Sequence, residues 1–310
     1  MSKGIVVVGG GTGFIGSHLC SLLKSRKFDV KIISRMPGPQ RMTWHDLQQT
    51  GLPAGTTAVV NVAGQNVLDP TRRWTPGFKQ NVWNSRVKTT AALAKAIENA
   101  VQPPSVFVSI SGVGIYKPSR TAEYSEDTHD LSDFDFLSKL CIEWEKAGNL
   151  SPTVNCRHVA VRSGVVLGRD GGMIKQLYLP FYLGLGGPVG SGTQYLPWIH
   201  VADIVRLITF AVETDGVKGV INGVAPQVIT NKEFSDAFAK ALWRPAIFPL
   251  PEMVLNLVFS EERAKMMTQG QKVLSKRTQA LGFKFAYPDI HSACQDLVNR
   301  ALKKSITYEI

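Results

Sequence analysis

The stretch V-G-G-G-T-G-F-I-G, from Val8 to Gly16, constrains the fold of this chain more than any other. It continues a β-branched run bounded by glycines, Gly4 to Gly9, of the kind that forms a strand buried on both faces. It opens Phe14 to Arg26, where Phe14, Ile15, Leu19, Leu22 and Leu23 recur at helical spacing. Strand, glycine turn and helix in that order make a phosphate-binding loop. Gly10 allows the tight turn, Gly13 lets the backbone approach a pyrophosphate, and Gly16 lets the helix pack close to the strand. The free amides and partial positive charge at the helix start favour an anion. Gly10, Thr12, Gly13, Phe14, Ile15 and Gly16 are therefore expected to contact a dinucleotide.

The same texture continues along the chain. Val30 to Ser34, Thr57 to Ala63, Val106 to Ser111 and Asn155 to Arg162 read as short strands. Gly77 to Asn99 and Ser138 to Ala147 read as helices between them. Alternating strands and helices predict an α/β fold, a doubly wound parallel sheet covered on both faces. Beyond Val166 the texture changes. Leu167 to Gly192 is dense in glycine and predicts loops flanking a cleft. Thr230 and Glu233 predict a capping box opening a helix through Leu242, and Asp289 to Lys304 predicts a final amphipathic helix. The expected division is a nucleotide-binding domain over residues 1–225, with core strands within 1–165 and later segments interleaved. A small C-terminal, substrate-side lobe follows over 226–310.

Composition narrows the class. The 310 residues carry 35 Lys+Arg against 24 Asp+Glu, a formal net charge of +11. The basic residues are dispersed, with Arg72-Arg73 and Lys303-Lys304 the densest pairs, and no basic stripe is interleaved with aromatics. A solvated surface that attracts a small anionic ligand is expected, not nucleic-acid binding. No apolar run approaches the ~18 residues that span a bilayer. Strand-like sequence from Gly4 leaves no room for a leader, so an intracellular, cytoplasmic setting is expected. Cys20, Cys141, Cys156 and Cys294 form no C-x-x-C pair, which predicts neither a metal site nor a disulfide framework.

The end of the second strand selects the cofactor. An acidic residue there would hold the ribose hydroxyls of NAD. Ser34-Arg35 stands there instead, and Asp29 lies at the wrong end of the strand. Arg35 can pair with a 2′-phosphate and Ser34 can donate to it, so NADP is expected. Val62, Ala63 and Gly64 end another strand with small residues that suit close passage of a ribose or adenine. Asn61 reads equally as a contact or a strand-end turn residue.

With G-G-T-G-F-I-G, N-V-A-G and W-I-H-V-A-D-I (Trp198 to Ile204) in order, the chain resembles the extended short-chain dehydrogenase/reductase superfamily. Gly270 to Leu274 and Leu281 to Phe285 resemble the terminal domain of its atypical branch, the epimerase family proteins with cell-division-inhibitor-like bacterial relatives. The resemblance implies a Rossmann-type domain binding NADP, and an oxidoreductase acting on a small-molecule substrate. It also implies that Asn81 and Arg86 face the cofactor. Arg86 reads alternatively as a helix-surface cation.

Catalysis in that superfamily uses Tyr-x-x-x-Lys with a Ser. By the resemblance, Lys139 matches the lysine and would anchor the nicotinamide ribose of the cofactor, and Ser111 matches the serine and would orient the substrate oxygen, but Asp135 stands where the tyrosine would be. A carboxylate beside an ammonium stays ionised and is a poor acid. Tyr116, five residues after Ser111, is the replacement candidate, with a packed loop aromatic as its alternative reading. His200 is a second candidate, read alternatively as structural. The expected function is an NADP-dependent oxidoreductase or epimerase acting on a carbonyl or secondary alcohol. The competing expectation is a non-catalytic NADP-binding redox sensor or interaction protein.

Overall fold

The computed structural model describes residues 2–299. Seven parallel strands form the central sheet: β1 (Ile5–Gly9), β2 (Asp29–Ser34), β3 (Arg41–Thr43), β4 (Thr56–Asn61), β5 (Val106–Gly112), β7 (Arg157–Ser163) and β10 (Gly219–Gly223). Four shorter strands pair outside it, β6 (Glu123–Tyr124) with β11 (Lys272–Val273) and β8 (Val165–Leu167) with β9 (Trp198–His200). The order across the main sheet is β10-β7-β5-β4-β1-β2-β3. The chain therefore winds outward in both directions from β1, and the crevice where the winding reverses lies at the carboxyl ends of β1 and β4.

Alternation along β1 explains the double layer. Val6 and Val8 face a core shared with α1 (Phe14–Ser25) and α7 (Val201–Glu213), through Leu19, Leu23, Ile204 and Ile208. Val7 faces the opposite core, with Leu47 of α2 (Trp44–Thr50) and Leu93 and Ile97 of α4 (Val87–Glu98). The helix expected over Gly77 to Asn99 is two helices, α3 (Pro76–Asn84) and α4. At the joint Arg86 has φ −114° and ψ −66°, off the helical path, and its side chain turns inward.

Helix α5 (Phe136–Ala147) starts two residues earlier than its periodicity suggests, because Asp135 and Ser138 form a capping box. The expected loop after Leu167 holds α6 (Gly172–Tyr182), which buries Ile174 and Phe181. A second core gathers these with Trp198, Phe234, Phe238, Cys294 and Leu297, from β9, α8 (Asn231–Ala241) and α12 (Ile290–Val298). It thus draws on residues from both sides of position 225. The Thr230–Glu233 capping box forms at α8. Of the expected final helix, residues 300–304 lie outside the described residues, as does the Lys303-Lys304 pair.

Between these elements run α9 (Glu252–Phe259), α10 (Glu261–Thr268) and α11 (Lys276–Ala280). Among the described residues, no helix is long and apolar enough to cross a membrane. No cluster of His, Cys, Asp or Glu among them is arranged to hold a metal ion.

Candidate functional site

A cleft of about 1510 Å³ opens over the carboxyl ends of the strands. Its floor begins at the glycine loop. Gly10 has φ +78°, and a Cβ there would sit 2.6 Å from the Ala63 Cα. A Cβ on Gly16 would lie 2.1 Å from the Gly10 carbonyl oxygen, so only glycine lets α1 start this close to the turn. Gly13 differs: it is exposed, and its Cβ would meet only the Gly10 oxygen at 3.3 Å. As the N-cap of α1, Gly13 offers no side-chain cap, which leaves the first-turn amides to an anion.

Gly10, Thr12, Gly13, Phe14, Ile15, Ser34, Arg35, Val62, Ala63, Gly64, Asn81 and Arg86 all line this cleft. Gly16 stands behind them, at the contact between helix and turn. Arg35 is exposed and makes no ion pair among the described residues. Ser34 is buried, and its hydroxyl donates to the Met36 carbonyl at 2.5 Å, so the proton expected for a phosphate is already used. Asn61 ties the strand end to α4, donating to Thr90 Oγ1 at 2.8 Å and accepting from the Ala63 amide at 3.1 Å.

Arg86 crosses the cleft behind Gly64, whose Cβ would meet its guanidinium carbon at 3.1 Å. It donates to the Gln65 carbonyl at 2.9 Å and lies over the Trp144 ring at 5.2 Å. No carboxylate pairs with it among the described residues, and desolvation pushes its pKa down to about 10.

The expected catalytic group separates. Ser111 and Tyr116 both line the cleft, whereas Lys139 does not and is exposed on α5. The helical period is the reason: α5 faces the cleft with Leu137, Leu140, Cys141 and Trp144, and Lys139 lies off that face. Asp135 is the cap of α5, accepting from the Ser138 amide at 2.7 Å. Leu137 and Cys141, four apart, abut Gly114 and Gly112. They hold the places beside β5 that the sequence pattern assigned to Asp135 and Lys139. Burial pushes the Cys141 thiol up to about 12.

Tyr116 is also corrected as an acid. Its hydroxyl lies 3.0 Å from both the Ser125 carbonyl and Asn222 Oδ1, and accepts from Arg162 Nη1 at 3.0 Å. Burial raises its pKa, and the Arg162 charge only partly offsets this. Tyr116→Phe removes hydrogen bonds inside a buried network and is expected to cost ~1–3 kcal/mol of stability. Nucleotide affinity should change by less than about twofold, because the lost hydroxyl serves the scaffold. Urea unfolding together with fluorescence titration separates these outcomes, and a large affinity loss at unchanged stability would reverse the assignment. His200 is likewise structural. It caps α7 through Nδ1, 3.2 Å from the Ala202 amide, and lies outside the cleft lining with Asp296 Oδ2 3.2 Å from Nε2.

Three residues escaped the sequence reading. Arg162 pairs with Glu145 through two 2.8 Å contacts beneath Tyr116. Glu126, buried, accepts from the Asn222 amide at 3.1 Å. Arg263 is buried in α10 and donates to the Arg72 and Asp69 carbonyls at 2.6 and 2.7 Å, fastening α10 to the segment before α3. A charged residue inside an apolar pattern is the available signal for Arg162, in V-A-V-R-S. Arg263 sits in a charged run and carries none.

Ser111 Oγ is buried at the end of β5 and has no hydrogen-bond partner among the described residues. The glycine cradle, the uncapped α1 and this unsatisfied hydroxyl together suit an extended anionic cofactor whose far end presents polar atoms near β5.

The family model described as "NAD dependent epimerase/dehydratase family" matches residues 6–222. The chain belongs to this family. A second family model, described as a domain of unknown function, matches residues 250–297. The epimerase family protein SDR39U1 of Bos taurus is 51% identical over 294 residues, covering 94% of this chain and 99% of the relative. The homologue from Arabidopsis thaliana, named as chloroplastic, is 35% identical and covers 96% of this chain and 87% of that protein. The crystal structure of human SDR39U1 isoform 2 with NADPH superposes with a TM-score of 0.92 at 50% identity, covering 94% of this chain and 98% of that one.

Proposed function

We propose that this member of the epimerase/dehydratase family binds NADP(H) and transfers hydride to or from a carbonyl or secondary alcohol, as an oxidoreductase or epimerase. The observation that carries the reading is the buried, unpartnered Ser111 hydroxyl lining the same cleft as the glycine loop. The NADPH in the human relative's crystal supports the choice of nucleotide.

The first-turn amides of α1 hold the pyrophosphate, and the Gly10 turn brings backbone close to it. Arg35 neutralises the 2′-phosphate. When bound, the reduced nicotinamide supplies a hydride that forms the new C–H bond while the carbonyl π pair moves onto oxygen. Ser111 donates a hydrogen bond to that oxygen. Arg86 places an unpaired positive charge in the same cleft, which favours the developing alkoxide. The proton that completes the alcohol comes from water, since the Tyr116 hydroxyl is engaged and burial pushes the Cys141 thiol pKa up to about 12.

Replacing Arg35 by Ala removes one charge-assisted contact and is expected to weaken NADPH binding by about ten- to a hundredfold. NADH binding should be unchanged, because that cofactor lacks the 2′-phosphate. Parallel fluorescence titrations check this, and equal losses for the two cofactors contradict it.

One observation favours a second reading, a non-catalytic NADP(H)-binding sensor or interaction protein. Leu137 and Cys141 put no strong proton donor beside Ser111. Deuteride transfer from labelled NADPH across a panel of aldehydes, ketones and sugar nucleotides decides between them. Label in any alcohol product supports the oxidoreductase. Tight NADPH binding with no transfer to any acceptor favours the sensor.

A further inference from the structure

The wall of the cleft opposite the glycine loop is apolar. Leu177 and Phe181 of α6, Phe248 of the segment between α8 and α9, Leu255 and Phe259 of α9 and Met267 of α10 form it. Several of its polar side chains are already committed to the scaffold. Gln194 donates to the Val189 and Met267 carbonyls at 2.9 and 3.0 Å, which leaves its buried Oε1 as an acceptor without a partner among the described residues. Gln271 donates to the Val113 carbonyl at 2.7 Å, and Asn231 accepts from the Val189 amide at 2.7 Å.

Charge is equally scarce. Among the described residues from Gly172 onward, the only charged one lining the cleft is Lys265, and it pairs with Glu261 at 2.8 Å. Arg72, from the segment before α3, is the one cation facing this side without an ion pair among the described residues. A sugar diphosphate brings two phosphates and many hydroxyls, and few groups on this wall, Arg72, Tyr195 and Gln269 among them, are left to meet them. The rim continues the pattern. Leu185 and Phe248 line the cleft and are 60% and 52% exposed, so the entrance itself is greasy.

We propose that the substrate is lipophilic: a carbonyl or secondary alcohol carrying a long hydrocarbon chain that lies along the α6, α9 and α10 wall. The class deepens the NADP(H)-dependent reading above and rests on it for the reacting group. The chain gains free energy by leaving water for this surface, and Arg263 holds the wall closed against the segment before α3. Ser111 receives the oxygen at the polar end.

The test is calorimetric titration of the whole protein with methyl ketones from hexyl to tetradecyl length, with and without saturating NADPH. Affinity is expected to rise by up to about fourfold per added methylene until the wall is covered. Leu177→Gln and the rim variant Phe248→Glu should each weaken the longest ketone by about tenfold or more while leaving NADPH affinity intact. Phe248 is exposed, so its variant tests the wall without threatening the fold. Affinity that is flat with chain length, or UDP-glucose bound more tightly than the longest ketone, overturns the proposal. Absence of NADPH binding in the same samples sinks the cofactor reading alone, since the ketone series without nucleotide still reports on the wall.

Discussion

Gly13→Val is expected to abolish NADPH binding, by about two orders of magnitude or more, in a protein that still folds. Two features of the position separate these effects. Its backbone, φ −78° and ψ 179°, is extended and open to any residue. A Cβ there touches only the Gly10 oxygen, at 3.3 Å. The added side chain therefore projects into the space where a pyrophosphate approaches the α1 amides. Gly16→Val is the contrasting control. Its Cβ would fall 2.1 Å from the Gly10 oxygen, so the turn and α1 cannot both keep their places and the protein should lose stability together with binding. Circular dichroism with calorimetric titration reads both properties. A folded Gly13→Val protein that binds NADPH normally would mean that the glycine turn is only structural.

Arg162→Met is expected to have the largest effect on stability, a loss of ~3–5 kcal/mol. The guanidinium makes two 2.8 Å contacts with Glu145 and a third at 3.0 Å with the Tyr116 hydroxyl. Its pKa is raised, with the Glu145 hydrogen bonds and charge outweighing the cost of desolvation. Methionine fills similar volume but leaves the Glu145 carboxylate, only 16% exposed, without its counter-charge. The penalty is mostly that abandoned charge, so Arg162→Met combined with Glu145→Leu should recover a substantial part of the loss. Urea midpoints for the single and double variants measure this. A double variant as unstable as the sum of its parts would show that packing, not charge, sets the cost.

Local pattern was sufficient wherever one element's own residues decide its form. The glycine loop, β1, β2 and the Thr230–Glu233 cap are of this kind, because strand burial and capping act over a few neighbouring residues. Arg35 could be placed for the same reason: it follows directly on a strand whose end is known. The exposed position of Lys139 was not legible because which face of a helix meets the sheet is set by tertiary packing. The apolar face of Leu137, Leu140, Cys141 and Trp144 packs toward the cleft, which leaves Lys139 exposed on another face of α5. Tyr116 could be placed in the cleft, but its partners Asn222 and Arg162 come from distant strands, and no local signal records that their contacts occupy its hydroxyl. The break at Arg86 was hidden because Ser85 and Arg86 are acceptable helix residues, and only packing against Gly64 and Trp144 turns the guanidinium inward. The apolar wall is assembled from α6, α9 and α10, and its meaning emerges only when those faces meet.

The most direct measurement of the central claim is the pair of dissociation constants of the unmodified protein for NADPH and NADH, determined side by side by nucleotide fluorescence at one ionic strength. With Arg35 at the end of β2 in no ion pair, and no carboxylate beside it, among the described residues, NADPH should bind at least about tenfold more tightly. The preference should narrow as salt rises, since an exposed guanidinium is screened. Equal affinity for the two cofactors, or tighter binding of NADH, would contradict the assignment of this cleft to NADP(H).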